Sequence, residues 1–94
     1  MKKWKDGKDR YGLLINDQEV GALHYYSLFG YGFTAYINGE TWDTAIHTDN
    51  LEDAKIEAEQ WLADLYEKHI AMLEESIRIH KQYIGLLNNT KKEG

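Results

Sequence analysis

From Leu51 to Ile84 the chain contains neither proline nor glycine, the residues that most often end or bend a helix. Asp49 and Glu52 stand three apart at the head of this stretch and read as an N-cap and its capping-box partner. Asp53 adds negative charge beside the positive end of the helix dipole. The pattern predicts one helix over residues 49–88, on the order of 55 Å long at about 1.5 Å per residue. The whole chain has only 94 residues, one domain's worth. The strands that its first half can form reach about 20 Å each, so the rest of the chain is too short to cover such a helix along its length.

The apolar positions divide the helix into two halves. Leu51, Ala54, Ala58, Trp61, Leu62 and Leu65 form one stripe in the first half, suited to packing on a sheet. In the second half Tyr66, Ile70, Leu73, Ile77, His80, Ile84 and Leu87 recur at alternating spacings of four and three. Ile70, Ile77 and Ile84 take heptad a positions, and Leu73, His80 and Leu87 take d positions. The sequence offers no second helix to cover this seam. Either the helix breaks near Lys68 and folds back, or the seam packs on another molecule. Because no glycine or proline marks a break, a homodimer through Ile70, Leu73, Ile77, His80, Ile84 and Leu87 is expected. β-Branched residues at a with leucine at d is the preference of parallel two-stranded coils, but so short a repeat leaves the orientation open.

Ahead of the helix, residues 11–48 read as an antiparallel sheet of three to four strands, a β-meander. Residues 1–10 form a basic tail or an edge strand, and residues 89–94 a disordered tail. The whole is a single α+β domain with a long C-terminal helix. Strands are expected at Tyr11–Ile15, Glu19–Tyr26, Tyr31–Ile37 and Glu40–Thr48. Asn38-Gly39 is a type I′ hairpin signal, since both residues tolerate positive φ. That turn pairs Ile37 with Glu40, Ala35 with Trp42 and Phe33 with Thr44. One hairpin face then carries Tyr31, Phe33, Ala35, Ile37, Trp42, Thr44 and Ile46, assigned to the core. The other carries Thr34, Tyr36, Thr41, Asp43, Ala45 and His47, assigned to an open face.

The net charge of -5 conceals an uneven layout. Residues 1–10 hold five bases and two acids, residues 11–67 eleven acids and Lys55 alone, and residues 68–94 five bases and three acids. So acidic a body repels phosphates, which argues against direct nucleic-acid binding and for a partner with a basic surface. With no cysteine, disulfides, thiolate catalysis and cysteine-ligated zinc are excluded. The histidines His24, His47, His69 and His80 lack metal-ligand spacing, so no metal or cofactor is expected. Neither serine lies in a nucleophile motif, and no glycine loop precedes a helix as a phosphate cradle does. The chain is therefore read as no enzyme. It has no apolar run of transmembrane length, and its start, MKKWKDGKDR, is charged throughout. A cytoplasmic protein without membrane partners is expected, in the host cytosol if phage-encoded.

The stretch Tyr31–Leu62, YGFTAYINGETWDTAIHTDNLEDAKIEAEQWL, resembles a pattern of small phage and prophage proteins: an aromatic strand, a turn, a second strand and a capped acidic helix. It is similar to the HicB-like antitoxins over about a third of the chain, and departs from them in lacking a DNA-binding tail and in carrying the C-terminal seam. By size and charge alone the chain also resembles anti-CRISPR inhibitors. The resemblance implies a non-enzymatic protein-binding module that docks on a basic, nucleic-acid-binding surface of a partner protein, or, alternatively, an antitoxin-like or regulatory module that neutralises a small basic toxin. Tyr36, Glu40, Asp43, Asp49, Glu52, Asp53, Glu57 and Glu59 are the expected partner-binding residues.

Overall fold

The computed structural model describes the backbone of residues 1–93 and the side chains of residues 1–89. The fold is α+β: β1 (Lys2–Asp6), β2 (Arg10–Ile15), β3 (Gln18–Tyr26), β4 (Gly30–Ile37), β5 (Glu40–Ala45) and α1 (Leu51–Glu93). Two compact units divide the chain, Met1–Leu62 and Ala63–Gly94.

In the first unit the strands form one antiparallel five-stranded sheet in sequence order. The sheet exceeds the expected three to four strands because residues 2–6 pair with β2 over their whole length. This strand looks polar in sequence because its basic side chains are bonded rather than buried. Lys2 pairs with Glu59, and the Trp4 indole donates to Glu59 Oε2 at 2.8 Å. The β4–β5 register is the one that the Asn-Gly turn dictates: Ile37 opposite Glu40, Ala35 opposite Trp42, Phe33 opposite Thr44. Asn38 and Gly39 sit at φ 52° and 80°, as a type I′ turn requires.

The core of this unit comprises Leu13, Ala22, Leu23, Phe33, Ala35, Ile46, Ala54, Ala58 and Leu62. Phe33 lies at its centre, with Trp4 and Trp61 meeting it edge to face at centroid distances of 6.3 and 5.9 Å. Gly21 makes room for it, since a Cβ there would run into the Phe33 ring and would lie 2.8 Å from the Thr34 carbonyl oxygen. Trp42 has the register of a core residue yet stays exposed. It lies on β5, the edge strand of the sheet.

Strand β5 ends at Ala45 rather than Thr48. The N-cap is Asn50 and not Asp49: Asn50 Oδ1 accepts the Asp53 N–H at 3.1 Å, while its own N–H donates to Thr48 Oγ1 at 3.3 Å. Adjacent Asp and Asn are both good caps. The Thr48 hydroxyl settles the choice by holding Asn50 one residue outside the first turn. Glu52 and Asp53 remain in that turn, where the dipole favours them.

In the second unit α1 runs uninterrupted past Lys68 and through Gly85. The expected helix end at residue 88 is passed. The tail expected over 89–94 falls largely on side chains, and on Gly94, outside the described residues. A Cβ at Gly85 would meet nothing within 4 Å. Gly85→Ala is therefore expected to stabilise the helix by about 0.8–1 kcal/mol, the usual cost of glycine inside a helix. Thermal melts followed at the helical circular dichroism band check this; a lower melting temperature would contradict it.

Candidate interaction surfaces

The first surface lies in the unit Met1–Leu62. Glu40 opens β5, Asp43 sits in its middle, Asp49 lies in the segment before α1, and Glu52 and Asp53 occupy the first helical turn. All five are exposed. No lysine or arginine interrupts residues 40–53. The nearest base in sequence, Lys55, is drawn inward, with its side chain only 11% exposed. Its ammonium donates to Asp6 Oδ1 at 3.2 Å and lies 5.8 and 5.6 Å from the ring centroids of Trp4 and Tyr11, close enough for cation–π attraction. The base that sequence reading sets against the acidic surface thus serves mainly inside the unit, although it still lies 3.7 Å from Glu52.

Glu57 and Glu59 are placed differently from the other five acids. Glu57 accepts the His47 N–H at 2.9 Å and lies 3.0 Å from His47 Nδ1. Glu59 takes the Lys2 ammonium and the Trp4 indole. Glu59 ties the helix to strand β1, and Glu57 ties it to the segment that joins β5 to α1. His47 thus pairs with a helix acid.

Tyr36 stands on the open sheet face, diagonally across from Asp43 in the β4–β5 register. Asp43 accepts a 2.5 Å hydrogen bond from the Thr34 hydroxyl. Next to Tyr36, Arg10 forms a two-pronged pair with Glu19, both contacts at 2.9 Å, and its Nη2 reaches Tyr36 Oη at 3.3 Å. The pair lies over Gly12, where a Cβ would strike the Glu19 carboxylate. Bonding to Glu19 raises the Arg10 pKa, and bonding to Arg10 holds Glu19 below the usual carboxylate range. Arg10, the base that reaches Tyr36, is therefore paired in place.

The β3–β4 turn carries a feature that sequence reading passed over. Leu28 and Phe29 are 86% and 85% exposed, with Tyr25 and Tyr26 exposed behind them. Two large apolar residues at the tip of the turn, where turns usually carry small or polar ones, were the available signal.

The second surface lies in the unit Ala63–Gly94. Ile70, Leu73, Ile77, Ile84 and Leu87 are 53–65% exposed, and His80 is exposed among them. A second row at the same four-three spacing was missed in the sequence: Leu65, His69, Met72, Ser76, Ile79, Tyr83 and Leu86. It stands about 100° around the helix from the first. His69 is partly tied down, its Nδ1 lying 2.9 Å from the Leu65 carbonyl oxygen. On the polar side Arg78 pairs with Glu75 at 2.5 Å.

Among the described residues no helix is long and apolar enough to cross a membrane, and no three histidine or acidic side chains converge as a metal site would require. No family model matches the chain, and neither a curated protein nor a solved structure proved similar to it.

Proposed function

We propose that the chain is a non-enzymatic protein-binding module that pairs with itself through the second half of α1. Its acidic face docks on a basic, nucleic-acid-binding surface of a partner protein, the role that a small anti-defence inhibitor of the anti-CRISPR kind fills. One observation carries the docking part: five exposed acids over residues 40–53, with no base among them and Lys55 turned inward. Tyr36 beside Asp43 supplies an aromatic anchor of the sort enriched at interfaces. Glu59 supports this surface by fastening the helix to β1 and Glu57 by fastening it to the β5–α1 connection, and the contact itself falls to Glu40, Asp43, Asp49, Glu52 and Asp53. The self-pairing part rests on the exposed aliphatic row of α1. Each such side chain contributes roughly 1.5–3 kcal/mol when buried, and contiguous exposed apolar patches mark interaction sites.

Complementary charge acts chiefly on encounter and is screened by salt. Reversing Glu40, Asp43 and Asp53 to lysine together is therefore expected to weaken capture of a basic host protein by at least about tenfold, and added salt should do the same to the wild type. All three side chains are exposed, so the fold should be kept. Binding that ignores both changes would overturn the docking part of the proposal.

A further inference from the structure

We infer that two copies of the chain pair antiparallel through the Ile70–Leu87 row, each helix running opposite to its partner. This deepens the self-pairing proposed above and rests on it. The row matches its own reverse. Turned end to end and centred between Ile77 and His80, it sets Ile70 against Leu87, Leu73 against Ile84 and Ile77 against His80, and then repeats these layers by the two-fold axis. Every a position meets a d position, and no residue of the row is left without a facing layer. In a parallel pair each residue meets its own copy, so the two His80 side chains share one layer.

The flanking charges favour the same direction. The e positions alongside the row are Glu67, Glu74, Lys81 and Asn88. In an antiparallel pair e positions face e positions, which brings Glu74 beside the second copy's Lys81 at two symmetric places. Among the described residues neither Glu74 nor Lys81 makes an ion pair within the chain, whereas neighbouring Glu75 is held by Arg78. A parallel pair sets g against e, and the g positions His69, Ser76 and Tyr83 offer Lys81 no acid.

Long-range charge adds to this. The segment 1–62, which forms the sheet unit and carries eleven acids and six bases, enters the row at its N-terminal end. Parallel pairing sets two such segments at the same end. Antiparallel pairing sets their entry points about 26 Å apart at about 1.5 Å per residue, some three Debye lengths at physiological salt. The Ile-at-a, Leu-at-d preference for parallel coils is set against a histidine in the middle d layer, a better flanking charge match, and this separation.

The cysteine-free sequence permits a direct test in the full chain. Ile70→Cys and Leu87→Cys each change one exposed side chain. Under oxidation the mixture of the two variants should give a cross-linked dimer, and neither variant alone should. Efficient cross-linking of each variant to itself, with no excess of the mixed dimer, would overturn the antiparallel arrangement while leaving self-pairing intact. No cross-link in any combination, with wild type sedimenting as a monomer, would overturn self-pairing as well.

Discussion

Phe33→Ala should destabilise the sheet unit by about 3–5 kcal/mol, the usual cost of removing a buried aromatic ring. The ring is 1% exposed. It meets two half-buried tryptophans that border the core, Trp4 on β1 and Trp61 on α1, and it lies over Gly21 on β3. Its loss removes one contact from each of three elements. The cavity cannot close easily, since its walls are a sheet and a helix that Glu59 fastens to β1. Small domains have about 5–15 kcal/mol in total, so the variant should be near the edge of folding. Because Trp4 and Trp61 border the cavity, denaturant titration followed by tryptophan fluorescence reads the loss directly. A change below about 1 kcal/mol would mean that Phe33 does not organise this core.

The second large effect concerns association. Ile84→Glu should weaken self-pairing by about three orders of magnitude or more. Two copies each lose a buried isoleucine worth roughly 1.5–3 kcal/mol, and two carboxylates enter an apolar layer, which costs more. Each 1.4 kcal/mol is tenfold in the dissociation constant. In the single chain Ile84 is 57% exposed, so the substitution leaves the fold of the protomer alone. Circular dichroism of the variant should keep its helical band at concentrations where the assembly is lost.

Local signals made much of this fold legible. Asn38-Gly39 set the β4–β5 register because both residues lie at positive φ, and a two-residue turn leaves no slack. The helix was legible because nothing after Leu51 stops it. Strand β1 was less so, since its lysines suggest a tail until Glu59, 57 residues away from Lys2, is seen to accept one of them. The cap moved from Asp49 to Asn50 for a reason of single-residue geometry that composition does not carry. The acidic surface was half legible. The sequence lists acids, but only the fold separates Glu57 and Glu59, which bind their own unit, from the exposed five. The second apolar row was within reach of the same periodicity that revealed the first.

Sedimentation of the full wild-type chain beside Ile84→Glu, over a range of micromolar concentrations, tests most directly whether α1 is an assembly helix. The expected result is a wild type of at least twice the chain mass of 11.0 kDa and a folded, monomeric variant. A wild type that remains monomeric at high concentration with its helix intact would contradict the account.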